Sequence, residues 1–365
     1  MSAPDVVIIG GGIIGTSAAA FLAEAGASVT LFERAELAAG ASGRNSGAVQ
    51  RPLDLPLGVL YRATVEHYRQ LADMDLGFPF EDEPTGLLIV SRDQAAVATV
   101  ALEIAQTTPD LWPQVLGIGE VQRLEPQLAP DLGACRLETG YPVAPASATL
   151  AFAQRARAAG ALIEIGVEAQ PIVEGGRVTG VRIGNQRRSA GQILLAAGPW
   201  TSELVTRWID APPIRSLWGV VAGVELADPP RHVIEELGID SGSEGAERLF
   251  SIVSAAGATS VGSIFAERQP EPGKEAPAIL ERATRFVPAL SSARVTSVRA
   301  CARPLSFDGR PLIGPVPGVE GLFVCAGHGP WGISTGPASA MLVAHQMLNS
   351  ETVIREFDPA RFQQT

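Results

Sequence analysis

The feature that most restricts what this chain can fold into lies at its start: an apolar strand, a glycine turn, a helix, a second strand and an acid. Val6-Val7-Ile8-Ile9 is a short, unbroken apolar run of the kind a buried parallel strand shows. It leads into Gly10-Gly11-Gly12-Ile13-Ile14-Gly15, in which Gly10, Gly12 and Gly15 fill a G-x-G-x-x-G frame. Thr16 to Ala25 reads as helix with Gly26 placed to end it, and Ser28 to Phe32 reads as the next strand, with Glu33 at its end. Each glycine serves a separate purpose. Gly10 permits the tight turn, Gly12 the close approach of backbone amides to a pyrophosphate, and Gly15 the helix–strand packing. The helix N-terminus adds partial positive charge, and Glu33 accepts from ribose hydroxyls. The glycine frame alone is weak, but here strand, helix and acid all stand at the right spacing. The expectation is an α/β chain that binds a dinucleotide on a Rossmann-type sheet.

Composition narrows the function further. At 365 residues the chain suits two domains with real cores. A net charge of −11 with no basic run argues against nucleic acid and anionic membrane surfaces. Lys274 is the only lysine, so lysine chemistry is absent nearly everywhere. Three scattered cysteines (Cys135, Cys301, Cys325) and four scattered histidines suggest neither a disulfide framework nor a metal cluster. No signal-type leader and no run of transmembrane length is read, so a cytoplasmic protein is expected.

A second small-residue loop, Gly40-Ala41-Ser42-Gly43-Arg44-Asn45-Ser46-Gly47, follows. It can lie flat on a ligand while Ser42, Asn45 and Ser46 hydrogen-bond to it, and a plain NAD unit has no need of it. Further on the reading gives a hairpin turning at Glu174-Gly175-Gly176 and an apolar strand ending in Ala196-Ala197-Gly198-Pro199-Trp200, a further sheet edge open to a cofactor. Strand-like runs at Trp218–Leu226, Leu249–Val253, Thr259–Phe265 and Val295–Val298, with one helix at Ala276–Phe286, suit a wall over a substrate. The last section reads as loop, strand, glycine-rich turn and helix to Leu348. The expected division is a discontinuous cofactor-binding domain (1–77, 139–213, 300–365) with an inserted antiparallel-sheet substrate domain (78–138, 214–299).

With these segments in place the chain resembles the FAD-dependent amine and amino-acid oxidoreductases, the group of D-amino-acid oxidase, glycine oxidase and sarcosine oxidase. The likeness runs over nearly the whole length and rests on five ordered landmarks: the glycine turn with Glu33, the Gly40–Gly47 loop, the segment Ala196–Trp200, Ala302-Arg303-Pro304-Leu305-Ser306-Phe307-Asp308-Gly309-Arg310-Pro311, and Ala326-Gly327-His328-Gly329-Pro330-Trp331-Gly332-Ile333. It implies that Gly10, Gly12, Ile13, Ile14 and Gly15 with Glu33 and Arg34 hold pyrophosphate and adenosine ribose. Ala41, Ser42, Asn45, Ser46 and Gly47 would run toward the flavin, with Gly198 and Trp200 on the neighbouring edge. Ala169, where the family usually has valine, would meet the adenine through its backbone. Gly327, His328, Gly329, Pro330, Trp331, Gly332 and Ile333 would lie against the flavin ring system.

The resemblance also names Arg303 as the ligand of a substrate carboxylate, a role suited to a guanidinium fork. The alternative is an arginine satisfied by backbone carbonyls. Ser306 departs from the family's threonine. Arg51 is a second candidate carboxylate ligand, against a solvated surface arginine; Trp331 lines the pocket or sits in the core. His328 is a catalytic candidate, with positioning favoured over proton abstraction. Cys301, seven residues before Asp308, has the spacing of a flavin-linking cysteine, but Arg303-Pro304 resembles members with non-covalent FAD, which is the expectation. No lysine stands in Gly262-Ser263-Ile264-Phe265, where sarcosine-oxidase-type members carry one to promote reaction with oxygen.

The preferred function is oxidation of the C–N bond of a small amino acid or N-substituted glycine, with electrons passing to oxygen or to a quinone or protein acceptor. One alternative is oxidation of a 2-hydroxy acid. The other is a flavin subunit of a larger electron-transfer assembly, so homo- and hetero-oligomers both stay open.

Overall fold

The computed structural model describes residues 4–209, 213–238, 250–349 and 353–362. Its organising element is a six-stranded sheet in the order Leu312–Pro315, Leu322–Ala326, Gln192–Leu195, Val6–Ile9, Val29–Glu33, Leu162–Ile165. All neighbours run parallel except the Leu312–Pro315 edge strand. Val6–Ile9 lies inside the sheet, flanked by Val29–Glu33 and Gln192–Leu195, so its turn opens at the sheet's C-terminal edge. That edge is where open α/β sheets bind ligands.

Alternation along the central strand divides the core in two. Val6 and Ile8, with Leu31, face the helical layer. Val7 and Ile9, with Phe32, Ile193 and Leu195, face a small antiparallel sheet of Gln170–Glu174, Arg177–Ile183 and Gln186–Ser189. The hairpin expected at Glu174-Gly175-Gly176 is thus formed and covers one face. On the other face the helix Ile13–Glu24 is buried along nearly its whole circumference. Its run of small residues permits this, because it is wedged between Ser147–Ala158 and Gly332–Asn349. Gly336 sits so close to Ile14 that a Cβ there would come within 2.8 Å of Ile14 Cδ1.

An eight-stranded sheet stands over the cofactor edge in the order Arg294–Ser306, Ile214–Glu225, Ala258–Gly262, Ser251–Ala255, Val233–Glu236, Leu87–Ser91, Gly133–Leu137, Gln114–Leu116. It is antiparallel but for one parallel pair, Val233–Glu236 with Leu87–Ser91, which corrects the purely antiparallel expectation. The helix Pro272–Thr284 packs Ala276, Ile279 and Ala283 on the sheet residues Val220, Ala222 and Val261. The helix Gln94–Thr107 covers the other end through Val97, Ala101 and Ile104. Of the expected strand Leu249–Val253, Leu249 lies outside the described residues. The strands Val233–Glu236 and Gly133–Leu137 were not legible in the sequence. The boundary expected at 299/300 falls inside the single strand Arg294–Ser306, whose first half is exposed and whose second half reaches the cofactor edge.

Candidate functional site

At the turn after the first strand, backbone geometry is set by what surrounds it. Gly10 has φ +118°, and a Cβ there would overlap the carbonyl oxygen of Ala196 on the neighbouring strand. A Cβ on Gly15 would overlap the carbonyl oxygen of Gly10. Gly11, outside the motif frame, is as constrained: its Cβ would sit 2.8 Å from Leu37 Cδ2 and 2.9 Å from Glu33 Cβ. Gly12 is the freest of the four, with only Ser42 Oγ near its missing side chain. The Glu33 carboxylate accepts from Gly11 N–H at 2.7 Å and Ala35 N–H at 2.8 Å, which orients it and leaves lone pairs for a ribose diol.

The second loop is more structured than the sequence suggests. Ala41–Arg44 forms one helical turn rather than a flat loop. Ser42 Oγ accepts from Ile13 N–H at 2.9 Å, tying this turn to the helix N-terminus. The Gly12 and Ile14 amides, which line the cavity, have no intrachain acceptor among the described residues. Asn45 commits its side chain to the loop itself: its amide donates to Ala41 O and Ser42 O, and its Oδ1 accepts from Gly47 N–H. Gly47 (φ +91°) is pressed on Val143 O. Asn45 therefore shapes the loop while bordering the cavity; Ser46 and Gly47 do not reach it.

These parts line one cavity of about 1000 Å³. One end holds Gly10, Glu33, Arg34, Ala169, Gly198 and Trp200, with the Arg34 guanidinium 4.1 Å above the Trp200 ring. The other end holds Trp218, Cys301, Arg303, His328, Gly329, Pro330, Gly332 and Ile333. A cavity of this volume, lined by free helix amides at a sheet edge, an oriented carboxylate and a glycine-rich turn, fits FAD. Ala169 is buried and borders the cavity.

Besides Gly15, Ser46 and Gly47, three more predicted residues stand outside the cavity lining. Arg51 does not reach the cavity: it is 7 % exposed, pairs through Nε with Asp110 at 3.1 Å and donates to Pro52 O. This pairing with the half-exposed Asp110 turns the guanidinium away from the cavity. Trp331 packs against the helical core instead of lining the pocket, and Gly327 lies behind it, accepting from Ser306 N–H. The aromatic residue that faces the substrate end is Trp218, whose strand was read but whose inward face was not.

Arg303 is desolvated at the cavity wall. Nη1 donates to Ile264 O at 3.1 Å, Nη2 to Ser263 Oγ at 2.6 Å, and the guanidinium lies 4.8 Å from the Phe265 ring centre. No carboxylate pairs with it among the described residues. Burial pulls its pKa below the ordinary arginine value, yet a guanidinium stays charged. A held cation with neutral partners and spare N–H groups is a ready carboxylate site.

His328 is 2 % exposed, and burial lowers its pKa to about 3. Ser339 Oγ donates to Thr335 O at 2.9 Å, so it accepts from His328 Nε2 at 3.0 Å, which fixes the neutral tautomer with Nδ1 unprotonated. Because the unfolded histidine titrates near 6.5 and the folded one far lower, stability is intact above pH 6.5. It falls as pH drops, by about 1.4 kcal/mol per pH unit from this group. His67, also pushed down by burial, acts in the same direction. Urea melts at pH 7 and pH 5 are expected to show a smaller acid loss for His328→Gln than for wild type.

Tyr68, fully buried, donates to Ile333 O at 2.6 Å, and Ser334 Oγ accepts from Gln50 N–H at 3.0 Å. The turn beside the substrate end is thus held from behind by the helix Leu55–Ala72 and the Gln50 backbone.

The comparisons agree with this geometry. Residues 5–346 match the family model for FAD dependent oxidoreductases (DAO). The chain is 27 % identical to a glycine oxidase of Geobacillus kaustophilus over 99 % of this chain and 96 % of that protein. The solved structure of a glycine oxidase from Bacillus cereus superposes with a TM-score of 0.84 at 26 % identity, covering 96 % of both chains. An L-proline dehydrogenase from P. horikoshii shares the fold, with a TM-score of 0.85 at 20 % identity over 99 % of this chain and 98 % of that one. A dinucleotide turn, a cavity roomy enough for FAD and a family match over nearly the whole length converge: the chain belongs to the DAO family of FAD-dependent oxidoreductases.

Proposed function

We propose that the protein oxidises the C–N bond of a small amino acid or N-substituted glycine to an imine. The observation that carries this reading is Arg303, an unpaired, desolvated cation at the cavity end opposite Glu33. A substrate carboxylate taken by its remaining N–H groups would be held at a fixed distance from the glycine-rich turn, which is how orientation lowers the barrier. Trp218 walls the same end and favours a small substrate. Bound FAD supplies the two-electron acceptor for a hydride from the α-carbon. Among the described residues lining that end none is a strong base, since His328 is neutral and bonded to Ser339. A substrate that arrives with a neutral amine needs none. The relatives named for glycine oxidation favour this reading over the 2-hydroxy-acid alternative.

FAD is held without a covalent bond in this reading. Burial raises the Cys301 thiol pKa, and its Sγ lies against Ala41 O, so the nucleophilic thiolate is disfavoured. Acid precipitation of the native protein is expected to leave all flavin in the supernatant; flavin retained in the pellet would contradict this. Electrons then pass to oxygen or to a quinone or protein acceptor, which reoxidation by air or by a dye separates. The division into 1–77, 139–213 and 300–365 against 78–138 and 214–299 goes with this reading, as does a cytoplasmic setting; no helix among the described residues is long and apolar enough to cross a membrane. The substrate test is anaerobic reduction of the flavin by glycine, sarcosine, proline, hydroxyproline and D-amino acids.

A further inference from the structure

Arg303 stands opposite Leu217 in the antiparallel ladder between Arg294–Ser306 and Ile214–Glu225, and Gly219 stands opposite Cys301. The Arg303 side chain leans two pairs along this ladder, to the next pair on the same face. A Cβ on Gly219 would lie 2.6 Å from Arg303 Nη1, 2.7 Å from its Cζ and closer still to Nη2. These three atoms are the nearest to that position, and all belong to the guanidinium. The group therefore lies flat against bare backbone at Gly219. Gly219 is buried in mid-strand and does not have a positive φ, so its own conformation does not demand glycine. The reason for glycine is the room it leaves for a neighbour's charge.

We infer that Gly219 is a positioning residue that sets where the Arg303 cation sits, and through it which carboxylates the site accepts. This rests on Arg303 as the carboxylate anchor. Four contacts define the guanidinium's place: Gly219 beneath it, Ser263 Oγ and Ile264 O at its two terminal nitrogens, and the Phe265 ring beside it. Adding one methyl at 219 forces the guanidinium off its seat while leaving the strand pairing, the arginine's charge and the glycine turn near Glu33 intact. That shift is expected to cost at least one of the hydrogen bonds to Ser263 and Ile264. A substrate carboxylate must then follow the displaced cation or lose one arm of the fork.

The test is a cycle of Gly219→Ala, Arg303→Leu and the double variant, each purified with FAD. The readouts are KM and kcat for the best amine substrate, together with the flavin spectral shift on titration with acetate, a carboxylate that cannot react. Gly219→Ala is expected to raise KM and the acetate dissociation constant at least tenfold with its FAD content unchanged, and to add nothing in the Arg303→Leu background. Unchanged KM and acetate binding in Gly219→Ala, or an equal effect with and without Arg303, overturns the inference while Arg303 as anchor stands. If Arg303→Leu itself leaves KM and acetate binding unchanged, the anchor fails, and the role given to Gly219 falls with it.

Discussion

Arg303→Leu is expected to lower kcat/KM by about 10²–10⁴-fold, most of it through KM. Two hydrogen bonds to a charged group contribute about 1.5–3 kcal/mol each, and both are lost with the guanidinium. Two neighbouring arginines are already committed elsewhere. Arg51 is turned away to Asp110, and Arg299 is committed to Arg44 O, Asn45 O and Ser260 Oγ. Arg303→Lys keeps the charge and loses the fork, so it should fall between wild type and leucine. Steady-state kinetics with a common substrate check both. Wild-type KM in the leucine variant would remove Arg303 from the substrate.

Gly10→Ala is expected to give a colourless and destabilised protein. A side chain at φ +118° costs about 1–3 kcal/mol in backbone strain, and overlap with the Ala196 carbonyl adds about 1–3 kcal/mol. Against a typical stability of about 5–15 kcal/mol that is a large share, and it falls on the turn whose amides would face the pyrophosphate. Gly26→Ala is the control. Gly26 also has a positive φ, +92°, but nothing lies within 4 Å of its missing side chain. It should lose stability by the strain alone and stay yellow. The visible-to-ultraviolet absorbance ratio and a thermal melt of each variant distinguish the two outcomes.

The cofactor half was legible because local sequence and fold agree there. Val6–Ile9 has to be buried, Gly10 has to turn, and Glu33 follows at a spacing set by one helix and one strand. Asn45 was legible in place but not in role, since only the folded loop shows its amide bonded to Ala41 O, Ser42 O and Gly47 N–H. Arg51 and Trp331 were misjudged for a related reason. Nearness to a motif does not say which way a side chain points, and an acid 59 residues away claims Arg51. The substrate end was least legible. Trp218, Gly219, Ser263 and Arg303 meet through pairing between strands some 85 residues apart in the chain, and a strand's inward face depends on a register that no single segment specifies. Arg299 shows the same limit: it ties the substrate sheet to the Ala41–Asn45 turn by bonds to two backbone carbonyls, which no pattern of residue types announces.

The central claim is that a carboxylate-anchored amine gives its hydride to FAD in this cavity. The most direct measurement is anaerobic bleaching of the purified yellow protein's visible flavin band by glycine, sarcosine, proline, hydroxyproline and D-amino acids, beside their 2-hydroxy-acid counterparts. The account predicts bleaching by at least one amine, abolished or slowed about 10²-fold or more at fixed concentration in Arg303→Leu, and none by the hydroxy acids. Bleaching by hydroxy acids alone, or no bleaching by any member of the panel, would contradict it.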